Sequence, residues 1–296
     1  MTKYKLAGFG HSHLSAYLRA YMQGSKAGNY PGLEMTFGRL GMDTFQPNFE
    51  TVSTESAYSA SATGNAPSRL KRLGARLKGG GYHSFDALDR PRVLTEALER
   101  RLTHMMRRDD PDAILLACMG NEYNTMGMLQ HPEPFDFDLP GSGIPIEEGK
   151  TVIPYAMMRA QMTALCEQNV LLFWRFFNEA AEKPIFLTPP PPPIADKMHI
   201  MSYPGAFAGR AKQYGVSPVG LRRKMWLLYC DILRDVTKDT DTTFVELPDP
   251  AFVDGCLAKQ FWQEDPTHGN VDYGRLMLEH VTDLAFGAGA AKGEGK

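Results

Sequence analysis

Pro111-Asp112-Ala113-Ile114-Leu115-Leu116-Ala117-Cys118-Met119-Gly120-Asn121 is the stretch that decides the fold. From Ala113 to Met119 every residue is apolar, with no alternation. A strand that reads this way has both faces covered, which is the habit of a central strand in a parallel sheet. Gly120-Asn121 stops it. Upstream, Leu94, Leu98, Leu102 and Met105 recur at helical spacing, and Arg107-Arg108 supply the cations that favour a helix C-terminus. Helix followed by buried strand is one half of a βαβ unit.

The same alternation extends both ways. Strand signals fall at Tyr4 to Phe9, Leu33 to Phe37, Pro184 to Thr188 and Thr243 to Leu247. Between them lie helical patterns: Leu14, Tyr17, Leu18 and Tyr21 on one face, then a long helix from Tyr155 to Ala181. Ser217-Pro218 begins another, read as a capping serine with proline at the first helical position, running to Val236. The last spans Tyr273 to Phe286. Five strands alternating with helices predict an α/β fold, an open, doubly wound, mostly parallel five-stranded sheet with helices on both faces. The five prolines Pro189 to Pro193 end the fourth strand in a polyproline conformation. No internal repeat is visible.

The chain has 296 residues, 43% hydrophobic and 22% charged, which supports a substantial core. It reads as one domain over 1–286, with irregular insertions near 42–92 and 131–150 and a flexible Gly/Ala/Lys tail at 287–296. A formal net charge of −2 argues against a general nucleic-acid partner. Cys118, Cys166, Cys230 and Cys256 lack metal or redox spacing, and the first three sit in apolar runs. They read as buried thiols of a reducing compartment. No apolar run is long enough for a membrane span, and the N-terminal run Leu6 to Phe9 is too short for a signal-peptide core, so the expectation is a cytoplasmic protein with no membrane partner.

Three separated segments carry chemistry: Gly8-Phe9-Gly10-His11-Ser12-His13, Gly120-Asn121-Glu122 and Asp265-Pro266-Thr267-His268. Ser12 and Asn121 each fall just past the carboxyl end of a strand, where open α/β sheets bind ligands. A serine hydroxyl becomes a nucleophile only when a base takes its proton. His268 is the candidate base and Asp265 its orienting carboxylate, three residues away on a turn that Pro266 stiffens. The Asn121 amide and the Ser12 backbone N–H are candidate oxyanion donors.

This constellation resembles the SGNH, or GDSL-type, hydrolase family. Gly10-His11-Ser12 stands where that family has Gly-Asp-Ser. Gly120-Asn121-Glu122 is similar to its Gly-x-Asn-Asp block without the intervening residue. Asp265-Pro266-Thr267-His268, with Gly274 beyond, matches its Asp-x-x-His followed by a helix. The resemblance implies a flavodoxin-like three-layer scaffold and ester or acyl-transfer chemistry without a cofactor. It also implies a glycine N–H in the oxyanion hole, for which Gly81 in Gly79-Gly80-Gly81 is the candidate. A small-molecule or glycan ester is the expected substrate, with acetyl on a carbohydrate as the favoured acyl group.

Three alternatives remain at this stage. An acyltransferase would use the same triad. A metal-dependent hydrolase would use His11, His13, Asp265 and His268 as ligands. A binding protein would keep the fold without catalysis. Under the serine reading His11, His13 and Tyr123 line the substrate pocket. The segment Arg69 to Lys78 reads as a solvated amphipathic element, or a rim that attracts an anionic substrate.

Overall fold

The computed structural model describes residues 3–39, 49–51, 92–117 and 120–293. Gly81, Cys118 and the basic segment 69–78 lie outside the described residues.

The central sheet has five strands: β1 (Tyr4–Gly10), β2 (Leu33–Arg39), β3 (Ala113–Ala117), β4 (Ile185–Thr188) and β5 (Thr242–Phe244). All four strand pairings are parallel, in the order β2-β1-β3-β4-β5. This is the flavodoxin-like order, with its topological switch point between β1 and β3. The unbroken apolar run is thus the middle strand, and each of its residues from Ala113 to Ala117 is buried.

Among the described residues the α-helices are α1 (Leu14–Lys26), α2 (Glu96–Asp109), α3 (Asn121–Gly127), α4 (Tyr155–Gln168), α5 (Val170–Ala180), α6 (Lys197–Ser202), α7 (Ala208–Tyr214), α8 (Val219–Thr237) and α9 (Val271–Phe286). They lie on both faces of the sheet. Gly8 and Phe9 point to opposite sides of β1, as neighbours in a strand must. A Cβ on Gly8 would come within 3.1 Å of Leu14 on α1, whereas the Phe9 ring meets Phe177 of α5 at 4.7 Å. Gly10 allows the strand ends to close up, because a Cβ there would sit 2.5 Å from the Ala117 carbonyl oxygen.

Several local expectations change. The long helix expected over 155–181 is two helices, broken at Asn169, which has φ −133° and ψ −91°. The Asn169 side-chain amide donates to the Leu165 carbonyl at 3.2 Å, a local bond that competes with the helix. Pro218 is the residue before α8 rather than its first helical residue, and the Ser217 side chain makes no cap. Ser217 is instead buried, donating its N–H to Met128 O at 3.0 Å.

The segment 131–150 lacks long elements yet is firmly held. Lys224 of α8 and Asp136 form an ion pair of 2.5 Å with side chains 0% and 1% exposed. Lys224 Nζ also donates to the carbonyls of Phe137 and Pro145, and Asp136 accepts from the N–H groups of Phe137 and Glu147. A buried pair is tolerated when its remaining hydrogen-bonding capacity is met in this way. The tail read as flexible also packs in part. Ala290 and Ala291 are buried, and Gly32 N–H donates to Ala291 O, because two small apolar residues fit under the β1–β2 edge.

The proline run is buried from Pro189 to Pro193. A polyproline segment has no internal hydrogen bonds, so buried carbonyls there need outside donors. Trp226 Nε1 donates to Pro190 O at 3.0 Å, Tyr123 Oη to Pro191 O at 3.1 Å and Leu257 N–H to Pro193 O at 3.1 Å. The buried Arg222 guanidinium continues the pattern at Ile194 and Ala195.

Candidate active site

Ser12 sits in the turn between β1 and α1, at the switch point. The turn is closed by Leu14 N–H to His11 O at 3.1 Å and Ser15 N–H to Ser12 O at 3.0 Å. His13, not Ser12, occupies the cap position of α1, and no side chain caps that helix. The ordinary role of a serine before a helix is therefore not the one Ser12 plays. Its side chain is partly exposed, between His11 and His13, which are 3% and 8% exposed.

Asp265 and His268 come together as their spacing predicts. Asp265 Oδ1 accepts from His268 Nδ1 at 2.6 Å. The same oxygen accepts from Thr267 N at 2.8 Å, His268 N at 2.9 Å and Thr267 Oγ1 at 3.1 Å. An aspartate that takes the N–H groups two and three residues on is an Asx turn, so one carboxylate shapes the turn and orients the imidazole. Burial by itself would raise the Asp265 carboxyl. The bond to His268, its charge and the two backbone N–H groups outweigh that and hold it at about 2. His268 Nε2, the nitrogen on the far side of the ring, is buried and has no hydrogen-bond partner.

The turn carrying Ser12 and the turn carrying His268 meet through His13. The His13 and His268 rings lie 4.6 Å apart at an interplanar angle of 36°. Burial, then the neighbouring His268, push His13 well below the usual imidazole range, so it stays neutral. The approach depends on α9 and α1, whose first turns follow these two segments. A Cβ on Gly274 would stand 2.2 Å from the Ala16 carbonyl oxygen, so only glycine lets α9 lie this close to α1. Asn270 caps α9 by accepting from Asp272 N and Tyr273 N, while its amide donates to the carbonyls of Gln260 and Trp262. His199 of α6 lies within 2.9 Å of the Gln263 carbonyl and against the Trp262 ring. Of these supports only Gly274 is named in the sequence reading, as part of the last motif, although an Asp-x-Thr-His turn is a legible Asx signature.

Asn121 is the first residue of α3, which follows the carboxyl end of β3 beyond the undescribed residues 118–119. No hydrogen bond among the described residues joins Ser12 Oγ to His268. Such contacts are often loose before substrate binds. His11 faces Phe173 and lines a cavity of about 10 Å3 with Leu116, Ala117, Val170, Trp174 and Leu187. Tyr123 lines a small cavity with Pro266 and Thr267 of the Asp265–His268 turn. It is 2% exposed, and its hydroxyl is committed to the proline run. Among the described residues no group of three or more His, Cys, Asp or Glu side chains is placed to hold a metal ion. His11, His13, Asp265 and His268 therefore do not gather as the ligand set the sequence allowed.

No family model and no curated protein sequence matches this chain. Among solved structures it is similar to a catalytic mutant of Axe2, an acetylxylan esterase from Geobacillus stearothermophilus, at 13% identity and a TM-score of 0.41, over 96% of this chain and 95% of that one. No helix among the described residues is long and apolar enough to cross a membrane.

Proposed function

We propose that this chain is a serine hydrolase that cleaves an ester. The observation that carries the reading is the Asp265–His268 pair, with His268 Nε2 unpartnered and its ring against the turn that holds Ser12. His268 Nε2 takes the Ser12 hydroxyl proton as Ser12 Oγ bonds to the acyl carbon. The carbonyl oxygen gains the displaced electron pair and is stabilised by donors at the starts of α1 and α3. Collapse expels the alcohol, which receives the proton from His268. Water, activated by the same base, then releases the acid from Ser12. Asp265 stabilises the imidazolium in both halves.

A small acyl group such as acetyl is the acyl group we favour. A carbohydrate ester is the substrate class we favour. A fluorophosphonate probe followed by intact-mass measurement tests the assignment. We expect one adduct on the wild type and none on Ser12→Ala. Equal labelling of the variant would remove Ser12 from the mechanism.

A further inference from the structure

Helix α8 carries Arg223, Trp226, Leu227 and Arg234 on one stripe, at helical spacing. With Phe244 and Phe252 they line a cavity of about 210 Å3. A cavity needs only about 10–15 Å3 to hold one water, so this one accommodates a ring with a short substituent. It lies at the carboxyl edge of the sheet, where open α/β folds place ligands. Pro189 in its wall follows β4 directly, and Glu246 and Leu247 follow β5. Ser12, His13, Asp265 and His268 take no part in the lining.

Three charged residues line the cavity, and two of them satisfy each other. Arg234 donates to Glu246 through Nε at 2.5 Å and Nη2 at 3.0 Å, and to Asp231 through Nη1 at 2.6 Å. Arg223 is half-buried and, among the described residues, has neither a hydrogen bond nor an ion pair. It is held in place all the same. A Cβ on Gly255 would stand 2.6 Å from its Nη2 and 3.0 Å from its Cζ, so the guanidinium lies against the backbone of the Asp254-Gly255 turn. Gly255 fits that turn for a second reason, its φ of +71°. An apolar cavity with one unpaired guanidinium in its wall is suited to a carboxylate on an apolar body, because the planar fork of N–H groups matches the two carboxylate oxygens. Trp226 and Phe252 already meet edge to face, with centroids 5.9 Å apart, and an aromatic guest would extend that ring packing. We propose that this cavity is a ligand site, separate from Ser12 and His268, for a small aromatic carboxylate. The ring packs among Trp226, Leu227 and Phe252, and the carboxylate accepts from the Arg223 guanidinium.

The inference does not depend on the hydrolase reading. The chain has three tryptophans, whose indole N–H resonances report by place: Trp226 in the cavity, Trp262 beside the Asp265–His268 turn and Trp174 on α5. The test is an NMR titration of the full chain with phenylacetate, phenylacetamide and acetate, with the three resonances assigned by Trp→Phe variants. Phenylacetate should shift the Trp226 resonance saturably, with a Kd of about 1 mM for a ligand of this size, and leave Trp262 in place. Phenylacetamide keeps the ring without the charge and should bind about tenfold more weakly. Acetate keeps the charge without the ring and should not saturate in the same range. Arg223→Met should weaken phenylacetate about tenfold while leaving p-nitrophenyl acetate turnover unchanged. Leu227→Trp, which fills the cavity, should abolish the shift, and the ligand series on wild type decides the matter even if that variant does not fold. No saturable shift of Trp226, equal affinity for the amide, or undiminished affinity in Arg223→Met would each overturn the proposal. A shift of Trp262 in place of Trp226 would put the ligand at the hydrolase site and overturn it as well.

Discussion

Asp265→Asn should be a mild variant and Asp265→Ala a severe one. All four hydrogen bonds to the Asp265 side chain end on Oδ1: from His268 Nδ1, His268 N, Thr267 N and Thr267 Oγ1. In Asp265→Asn the amide oxygen must take that place. The opposite rotamer would point an NH2 group at two backbone N–H groups and forfeit their bonds, at about 1–3 kcal/mol for each donor left unsatisfied. His268 Nδ1–H therefore keeps its acceptor, and the base keeps its tautomer. What is lost is the charge. The carboxyl stands at about 2 instead of its ordinary 3.8, which corresponds to about 2 kcal/mol. Its side chain is 29% exposed, so solvent screening trims this to about 1–2 kcal/mol, or about 5- to 30-fold in kcat/KM. Asp265→Ala loses orientation as well as charge and should fall about 1000-fold or more. The assay is kcat/KM on a short-chain p-nitrophenyl ester, with Thr267→Ala as a reference. If Asp265→Asn is as inactive as Asp265→Ala, the backbone N–H groups do not enforce the amide orientation and the reasoning fails. Stability gives a second reading. Because the folded carboxyl titrates below its unfolded value, its contribution is present above about pH 4 and disappears as the pH falls through about 2. The stability difference between wild type and Asp265→Asn in urea should shrink over that window.

Gly274→Ala should cost about 1–3 kcal/mol, because the new methyl meets backbone atoms of Ala16 that cannot step aside. It should also lower kcat/KM, since the α1–α9 spacing sets how the Ser12 and His268 turns meet; a lower melting temperature with unchanged kinetics would separate the two effects and refute that link. Lys224→Met should destabilise the fold by about 3–5 kcal/mol by leaving Asp136 charged and alone in the interior, measurable by denaturant unfolding at pH 7. Lys224→Met paired with Asp136→Leu should recover much of that loss, and a double variant no better than the single one would show that the loop needs the ion pair's hydrogen bonds more than its charge balance.

Much of this architecture was open to a reading of the chain. The unbroken apolar run Ala113 to Ala117 could only be a strand covered on both faces, and it is the middle of the sheet. The spacing of Asp265 and His268 placed carboxylate and imidazole on one turn, because three residues with a proline among them have little freedom to separate. The break at Asn169 was hidden, since Tyr155 to Ala181 keeps its apolar character straight through it and a single asparagine is not a strong stop. Tyr123 looked like a pocket residue by its place beside Asn121. Its burial follows from a proline run with carbonyls in need of donors, a demand that arises only once that run is folded inside.

The sequence by itself determined which segments become strands, that they pair in parallel between helices, and which residue types stand at the strand ends. Those properties depend on local periodicity and on the covering of both faces. Only the tertiary structure decided that the His13 and His268 rings touch, that His268 Nε2 is left without a partner and that α9 can approach α1 at Gly274. Contacts between residues 13 and 268 depend on where two helices cross, and that is set by the packing of the whole core rather than by either neighbourhood. The upward push on the Glu122 carboxyl belongs to the same class, because a glutamate is an ordinary surface acid until the start of α5 closes over it and takes away the water.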